Sequence, residues 1–523
     1  MWWRLALGLL GSSDVVAIGS ISVDPTSGHF VDSFGRVRLF HGVNAVYKEA
    51  PWLPQVENFS AEDSLDPTTI KLLKEWGFNV VRLGVMWPGV EPQPERIDNG
   101  YLQRVKRLTR DLAESGIYTI ADLHQDIGSS HFCGEGVPEA YVDALLRDRS
   151  SRMAQVPRFP EPLGSNITRN SSGFPERAAC LKRLFSEYYS TFQVGALWAE
   201  LYREGSQLYE GFLRYWTAVA EEFKDEPQLM AFELLNEPSG TCLEARSAAE
   251  CLLTGEAMPV RFNDDTEAQR LMPLYQAAAR VIRGAGAPQV ILYEPTVWPK
   301  IGTEVFPGPA LGDDTQQGLA YHIYCAPGDG SSAIAGLICD AAQTIFEHTF
   351  YPFLQRHKRL VGFMTEFGAV GGNSRELAHL RDLLQAADNH LQSWTYWQLK
   401  KFRDFTTANA QEALFTADGR VETEKLRTLS RTYAVATAGV PTKMQFEAGA
   451  FELDFVATVQ EAPTEIYLNE ALHYPKGYSI AVDPSNCLTV HKTQRNYLNL
   501  TLAPGCLGQL LKVRLWPAAT PNL

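Results

Sequence analysis

Residues 229–238 read LMAFELLNEP, and residues 360–368 read LVGFMTEFG. Each stretch is a short apolar run that ends in a glutamate, as is typical of a buried parallel strand followed by a polar loop. The C-terminal ends of parallel strands meet at one edge of a sheet, which is where α/β proteins bind ligands. The two stretches therefore predict that Glu237 and Glu366 lie at the same edge of one parallel sheet.

Six further runs have the same apolar character and are separated by helical stretches. Strands that alternate with helices indicate a parallel sheet covered by helices, and eight of them suit a closed barrel or a doubly wound open sheet. The additional predicted strands are Val37–Asn44, Phe78–Val85, Ile117–His124, Val290–Glu294, Leu319–Tyr324 and Ser393–Gln398.

The position of the polar residues distinguishes the two folds. In an open sheet, functional residues cluster at one switch point, whereas in a barrel they come from the ends of many strands. Here nearly every predicted strand ends in residues that can bind or react, so we predict an α/β fold with a (β/α)8 TIM barrel. These residues are Asn44, Arg82, His124, Asp126, Asn236, His322, Tyr324 and Trp397.

The rest of the chain predicts an insertion and a second domain. The third and fourth strands lie about a hundred residues apart, where one repeat of a barrel needs only about 30, so residues 127–206 are read as an aromatic-rich insertion. After residue 438, short strands follow one another without helices, the first of them predicted at Met444–Thr458, which is typical of an antiparallel β-sandwich. We predict a candidate signal segment at 1–20, the barrel at 21–438 and the sandwich at 439–523.

Charge and hydropathy restrict the partners. The chain has 61 acidic against 47 basic residues, a net charge of -14, which disfavours nucleic acid as a partner. No apolar run reaches the roughly 20 residues that a membrane-spanning helix requires, so no transmembrane span is expected.

Cysteines and glycosylation sequons favour a secreted protein or a lumenal protein of the secretory pathway. The eight cysteines are even in number, and acceptor sequons occur at Asn58, Asn166, Asn170 and Asn499. Reduced core cysteines and chance sequons are the alternative. If the cysteines pair locally, a hypothesis that leaves other connectivities open, the disulfides are Cys133–Cys180, Cys242–Cys251, Cys325–Cys339 and Cys487–Cys506.

The paired glutamates indicate acid/base and nucleophilic chemistry. Hydrolysis of a glycoside with retention requires one carboxyl group to protonate the leaving oxygen and a second, about 5 to 5.5 Å away, to attack. Glu237 and Glu366 end the fourth and seventh strands, so they can face each other across the barrel mouth. Each could instead be a salt-bridged structural residue, but two buried acids would then need two nearby cations. Arg82 and Tyr324 are candidates to keep Glu366 charged.

The remaining polar strand ends suit a sugar better than a metal. His124, Asp126 and His322 lack the spacing of known zinc-binding motifs, so we expect no metal and no cofactor, and hydrogen bonds to sugar hydroxyls instead. Trp397 would present its indole at the eighth strand end as a platform for a pyranose ring.

With these residues in place, the chain resembles glycoside hydrolase family 5, and within it the endoglycoceramidase-like branch. The resemblance covers residues 27–523, and its more branch-specific segments are GVNAVYK at 42–48 and LHQD at 123–126. It implies that Glu237 is the acid/base and Glu366 the nucleophile. It also implies that Lys48 and Trp198 hold more distal sugars, while a last group lines the subsite at the scissile bond: Asn236, His124, Asp126, His322, Tyr324 and Trp397.

The resemblance further implies a substrate class. Enzymes of this branch cut the bond between an oligosaccharide and ceramide, so the expected partner is a glycolipid presented by a membrane or micelle surface. Three alternatives remain open from the sequence. They are a glucosylceramidase or sterylglucosidase that releases one glucose, a cellulase or mannanase, and an inactive glycolipid-binding protein on the same fold.

Overall fold

The computed structural model describes residues 18–164, 166–240, 243, 267–297, 309–324, 346–404 and 412–518. Eight parallel strands in it form one closed barrel, in which the first strand pairs with the eighth, so the predicted TIM barrel is confirmed. We number these strands β1 (His41–Ala45), β2 (Val80–Gly84), β3 (Tyr118–Asp122), β4 (Leu229–Glu233), β5 (Val290–Tyr293), β6 (Gln317–Ile323), β7 (Val361–Phe367) and β8 (Ser393–Tyr396).

Helices between the strands cover the barrel, and the sequence explains where they start. The side chain of Asp66 accepts a hydrogen bond from the backbone of Thr68 and Pro67 follows it, which is a favoured helix start. In the next helix, apolar residues recur every three or four positions and face the barrel. The larger helices between strands are Pro67–Glu75, Asn99–Glu114, Gln207–Phe223, Met272–Gly284, Tyr351–Arg356 and Ser374–Asn389.

The lower end of the barrel, where its strands begin, is closed by an apolar hairpin. The strands Ser22–Asp24 and His29–Val31 pair antiparallel and place Phe30 under the barrel. The ring of Phe30 lies 5.4 Å from that of Phe40 and 6.0 Å from that of Phe363, both edge to face. These residues belong to a buried cluster that fills this end.

The predicted first strand, Val37–Asn44, is two strands. Val37–Arg38 pairs antiparallel with Tyr433–Thr437, and only His41–Ala45 belongs to the barrel. The prediction merged them because the apolar run continues through the bend between the two sheets. The N-terminal strands thus lie in one seven-stranded sheet with strands of the C-terminal region, and the predicted boundary at residue 438 falls just after a strand of that sheet.

The C-terminal region contains the predicted antiparallel strands in two sheets packed on a common apolar core. One expected strand, Met444–Thr458, is instead a hairpin of Gly439–Glu447 and Ala450–Ala457. Its two turn residues, Ala448 and Gly449, both have positive φ, as a tight hairpin turn requires. The other strands are Thr464–Tyr467, Tyr478–Asp483, Leu488–Gln494, Tyr497–Leu502 and Leu510–Pro517.

Ring stacking and a buried ion pair join the barrel to this region. His41 of β1 stacks between Trp394 of β8, at 4.3 Å, and Tyr433 of the C-terminal sheet, at 3.7 Å. Beside them, Arg431 pairs with Asp388 at 2.6 Å in a buried environment. Contacts of this kind need fixed geometry, so they set the position of the sheet on the barrel.

The insertion at 127–206 is anchored to the upper face of the barrel, where the strands end. Its aromatic residues pack on one another, as in the contact of Phe159 with Tyr188 at 5.3 Å, and belong to the same buried cluster as the residues between the barrel and its helices. The disulfide Cys133–Cys180 closes this unit. Its short helices and helical turns are Ser130–Phe132, Glu139–Arg147, Arg152–Gln155, Arg177–Cys180, Phe185–Ser190 and Phe192–Tyr202.

Two of the four predicted disulfides are present, Cys133–Cys180 and Cys487–Cys506. The pairs Cys242–Cys251 and Cys325–Cys339, and residues 1–17 of the candidate signal segment, lie outside the described residues. In the portion of the chain that the structure covers, no helix is both long and apolar enough to cross a membrane.

Candidate active site

The two glutamates singled out by the sequence face each other at the upper mouth of the barrel. Glu366 is part of β7, and Glu237 follows β4. One carboxyl oxygen of Glu237 and one of Glu366 lie within 4.8 Å of each other. This separation fits the spacing of about 5 to 5.5 Å that retaining glycosidases use and is shorter than the roughly 6.5 to 9.5 Å of inverting enzymes.

Glu366 is held by two donors. Arg82 donates to Oε1 at 2.6 Å, and the hydroxyl of Tyr324 donates to Oε2 at 2.7 Å. Each oxygen thus accepts one strong hydrogen bond, and the two bonds orient the carboxylate. Both donors are residues that the sequence proposed as partners of Glu366.

Glu237 has a different environment. Its backbone has a φ of 42°, in the left-handed region, and its Oε1 lies 2.9 Å from Nδ1 of His322. Burial, reinforced by the charge of Asp126, raises the pKa of Glu237 to about 7. Burial lowers the pKa of His322 to about 4, so this histidine is neutral at neutral pH. The carboxyl of Glu237 can therefore carry a proton near neutral pH, as the acid of a glycosidase must.

Arg82 is completely buried and contacts more residues of the site than Tyr324 does. Besides Glu366 it contacts Glu233 at 2.7 Å and Asp122 at 3.0 Å, and it donates to the side chains of Asn44 and Asn236. Burial acts to lower the pKa of Arg82, but the surrounding carboxylates raise it well above its usual value. The guanidinium is permanently charged and holds parts of four strand ends in register.

A second buried cation lies beside the first. The ammonium of Lys48 contacts the carboxylates of Asp126, Asp404 at 3.2 Å and Glu135 at 3.5 Å. The same nitrogen lies 4.7 Å from the ring centre of Trp397, which places it over the predicted sugar platform. Lys48 therefore reaches the site, in an ion cluster rather than in an exposed loop.

His124 links the two cations. It pairs with Asp122 at 2.7 Å, approaches Asp126 at 3.4 Å and stacks on Trp397 with ring centres 5.3 Å apart. Although burial opposes it, the charge of Asp122 raises the pKa of His124 to about 10. His124 is therefore a charged partner of both acids.

Trp198 is the predicted site residue that the structure does not bring to this group. It is buried in the helix Phe192–Tyr202, packs 5.8 Å from the ring of Tyr202 and lines a small cavity together with Leu123 and Leu235 of the barrel. A helix of the insertion, rather than a loop at the mouth, carries it. Its role with distal sugars stays a prediction.

Five residues of the site were not singled out from the sequence. Glu233 and Asp122 are the last residues of β4 and β3, and Glu294 directly follows β5, so the rule that found the other strand ends could have identified these three. Glu135 lies in a two-residue strand of the insertion, Glu135–Gly136, and Asp404 lies in a loop, and neither segment has a periodic signal. They become neighbours of Lys48 only through the tertiary fold.

Among the described residues, three groups of acids and histidines lie close enough together to hold a cation. They are His124, Asp126 and Glu135; Glu233, Glu294 and His322; and Glu237, His322 and Glu366. In each group, at least one carboxylate already accepts from a cation or hydroxyl of the protein, such as Lys48, Arg82 or Tyr324. Such a donor set favours proton transfer over metal binding, and the absence of a metal stays a prediction.

A (β/α)8 barrel with two facing carboxyl groups at the ends of its fourth and seventh strands defines a glycoside hydrolase. Family models agree with this class. The model described as cellulase (glycosyl hydrolase family 5) matches residues 43–403, and that of the glycoside hydrolase family 5 C-terminal domain matches residues 431–506. The chain belongs to glycoside hydrolase family 5.

Relatives match along nearly the whole chain. The chain is 30% identical to an endoglycoceramidase of Hydra vulgaris over 491 residues, which cover 92% of this chain and 86% of that protein. An endoglycoceramidase of Cyanea nozakii is 29% identical over 490 residues, with 91% and 90% covered. The solved structure of endo-glycoceramidase II from Rhodococcus sp. with ganglioside GM3 has a TM-score of 0.70 at 22% identity and covers 94% of this chain and 100% of that chain. This last similarity supports the fold.

Proposed function

We propose that the protein is a retaining endoglycosidase that cuts the β-glycosidic bond between an oligosaccharide and ceramide. The observation that carries the mechanism is the placement of the Glu237 and Glu366 oxygens within 4.8 Å of each other. The substrate class rests on the endoglycoceramidases that match over about nine-tenths of the chain.

In the first step, a carboxylate oxygen of Glu366 attacks the anomeric carbon, and Glu237 gives its proton to the departing oxygen of ceramide. The sugar is then bound covalently to Glu366. In the second step, Glu237 takes a proton from water, which attacks the same carbon and releases the oligosaccharide and the Glu366 carboxylate. Glu237 returns to its protonated form, so the cycle closes.

The sugar next to the scissile bond would lie on Trp397, within reach of His124 and Asn236. In the part of the chain that the structure describes, Nε2 of His322 is buried without a hydrogen-bond partner. Buried polar atoms are normally satisfied, so such an atom at the site suits a sugar hydroxyl. The Lys48 cluster, which borders Trp397 and shares Asp126 with His124, would contact the next sugar.

An assay of products tests this function. Purified protein is incubated with lactosylceramide and, separately, with glucosylceramide and a sterylglucoside, and products are separated by chromatography. Intact lactose plus ceramide is the expected result. Release of free glucose from the last two lipids, with lactosylceramide left intact, would instead identify a glucosylceramidase or sterylglucosidase.

A substitution tests the assigned roles in the same assay. Glu366→Gln removes the attacking oxyanion but keeps the shape, and it should lower turnover by a factor on the order of 10⁶, as loss of a nucleophile does in other hydrolases. Normal turnover by a folded Glu366→Gln protein would show that Glu366 is not the nucleophile.

We further propose that the insertion brings the site to a lipid surface. Residues 181–184 read LKRL, and all four side chains are exposed, Leu181 by 41% and Leu184 by 54%. In the same insertion, Arg177 pairs with Glu49, next to Lys48, at 3.2 Å and thereby ties the exposed segment to the mouth of the site. Exposed leucines beside basic residues suit the interface of an anionic bilayer.

The test compares two surface variants on substrate in vesicles and on a water-soluble glycoside. The double variant Leu181→Ser and Leu184→Ser should lower turnover only in vesicles. The matched control changes two exposed leucines of the C-terminal region, Leu507→Ser and Leu510→Ser, and should leave both activities unchanged. The opposite result would place the lipid contact on the C-terminal region.

For the compartment, we propose secretion or residence in the secretory lumen. Two disulfides are formed, and disulfides persist in oxidising compartments. The sequon residues Asn58, Asn166 and Asn170 are exposed, and Asn499 is half-exposed, so glycans could be attached. Recovery of the protein from culture medium, with a mass that falls after enzymatic removal of N-glycans, is the expected observation.

A further inference from the structure

A third buried carboxyl group lies directly behind the acid/base residue. Glu294 follows β5 and is only 3% exposed. Its Oε2 accepts a hydrogen bond of 2.8 Å from the backbone N–H of Glu237, and its Oε1 lies 3.2 Å from Nδ1 of His322. One side chain therefore touches both the main chain of Glu237 and the histidine that contacts the Glu237 carboxyl.

The main-chain contact holds a strained residue. Glu237 has a φ of 42°, which is an unfavourable backbone conformation for a side chain of this size. A second bond, from the N–H of Val297 to the carbonyl of Pro238 at 2.9 Å, ties the same two segments together. The loop after β5 thus fixes the direction in which the Glu237 side chain points.

The histidine contact couples the two carboxyl groups. Nδ1 of His322 lies 2.9 Å from Glu237 and 3.2 Å from Glu294, and a neutral imidazole nitrogen that accepts a hydrogen bond has one lone pair to offer. Two carboxylic acids therefore compete as donors for one acceptor. When one of them loses its proton, the other can take over the hydrogen bond.

The charges around Glu294 favour its neutral form. Burial, followed by repulsion from Glu237 and Glu233, raises the pKa of Glu294 well above its usual value, whereas Arg82 acts in the opposite direction but less strongly. The titratable groups that face Glu294 or Glu237 from neighbouring elements are Glu233, Glu366, His322, Tyr275, Tyr324, Tyr189, Arg82, Asp126, His124 and Lys48.

We propose that Glu294 is a positioning residue that makes Glu237 an effective acid. As Glu237 passes its proton to the leaving oxygen, the O–H of Glu294 replaces it as the donor to Nδ1 of His322, and the proton of Glu294 stays on Glu294. The N–H of Glu237 meanwhile stays bound to Oε2. This inference rests on the proposed roles of Glu237 and Glu366.

Two variants of Glu294 separate this role from a structural one. Glu294→Gln keeps an acceptor for the N–H and a donor for Nδ1, so it should retain turnover near that of the wild type. Glu294→Met removes both and should lower kcat about 10- to 100-fold with little change in KM, the loss expected when two neutral hydrogen bonds of about 0.5 to 1.5 kcal/mol each are removed. Equal losses in both variants would overturn the proposal.

The pH–rate profile is the decisive readout. Without a replacement donor, Glu237 holds its proton more tightly, so the alkaline limb should move to higher pH in Glu294→Met and stay in place in Glu294→Gln. An unmoved limb in Glu294→Met, or a limb moved to lower pH, contradicts the proposal. The matched control is Tyr275→Phe, which removes a hydroxyl that donates to the main-chain oxygen of Glu294 at 2.9 Å and should not move the limb.

A substrate that needs no acid completes the test. Dinitrophenyl β-lactoside has a leaving group that departs without a proton, so the glycosylation step of Glu294→Met should recover towards the wild-type rate. A deficit as large as that on lactosylceramide would overturn the proposal. If the wild-type protein cleaves neither substrate, the proposed function fails. If the wild type cleaves them and the pH–rate profiles of all variants coincide with its own, only the role of Glu294 is refuted.

Discussion

The two ends of the barrel are built from the same eight strands but have opposite chemistry. At the lower end, Phe30, Phe40 and Phe363 fill the space with apolar rings. At the upper end, Arg82 and Glu233 occupy an equally buried space with charge. The two ends therefore have different tasks. The lower end stabilises the barrel, and the upper end keeps buried carboxyl groups in the positions that the reaction requires, at a cost in stability.

The largest effect is expected at the centre of the charged end. Arg82→Met leaves Glu233, Asp122 and Glu366 buried without their cation, and breaking such a network typically lowers the free energy of unfolding by about 3 to 5 kcal/mol. Turnover should also be lost. Urea unfolding and the product assay measure both. The control is Arg82→Lys, which keeps the positive charge but lacks the planar guanidinium with its several N–H donors. It should restore the free energy of unfolding more than it restores turnover.

A change of similar size at the apolar end should affect stability alone. Phe363→Ala empties part of the lower cluster and should lower the free energy of unfolding by about 3 to 5 kcal/mol. Turnover per folded molecule at low temperature should equal that of the wild type. A fall in kcat of the folded protein would show that the two ends are not independent.

Glu237→Gln should raise stability while it lowers activity. Because the pKa of Glu237 is raised to about 7 in the folded protein, its contribution to stability is present below about pH 4.5 and is lost as the pH rises through 7. The neutral variant avoids this loss, so its free energy of unfolding above pH 7 should exceed that of the wild type by about 1 to 3 kcal/mol. Urea unfolding at pH 5 and pH 8 tests it.

The same substitution should lower turnover about 10²- to 10⁴-fold, the usual contribution of a general acid or base. In the wild type, activity should fall as the pH rises through about 7, because the leaving oxygen then receives no proton. A variant that is less stable than the wild type at pH 8 would contradict the assigned environment.

The smallest effects are expected when one tyrosine hydroxyl is removed at each end of the barrel. Tyr324→Phe removes the hydroxyl that donates to Glu366 and should lower kcat about tenfold or more, because a hydrogen bond to a charged group contributes about 1.5 to 3 kcal/mol. Tyr118→Phe removes a hydroxyl that donates to the main-chain oxygen of Gly19 and should lower only stability, by about 0.5 to 1.5 kcal/mol. Steady-state kinetics and urea unfolding of both variants separate the two readouts.

The apolar runs predicted the barrel because each buried parallel strand is continuous in hydropathy and each ends in a polar residue. The same signal gave wrong strand boundaries where an apolar run continues although the chain changes its neighbouring strand. Val37–Asn44 crosses from one sheet to another, and Met444–Thr458 turns back on itself at Ala448 and Gly449. Local composition does not record which strand lies alongside.

Within the site, residues at strand ends could be predicted and residues in loops could not. Arg82, Tyr324 and His322 reach the two glutamates because the barrel places successive strand ends in a ring. Lys48 lies in a cluster with Asp404 that only the folded chain brings together. Trp198, assigned by resemblance, is buried in a helix of the insertion.

The pairing of Val37–Arg38 with Tyr433–Thr437 has a consequence for synthesis on the ribosome. The hairpin that closes the lower end precedes the barrel in the chain, yet the strand next to it gains its partner only after about four hundred further residues have been made. Domains usually fold in the order in which they emerge. Here the sheet that begins with the hairpin cannot be completed until Tyr433–Thr437 has been made, so its first strands lack a neighbour during most of the synthesis of the chain.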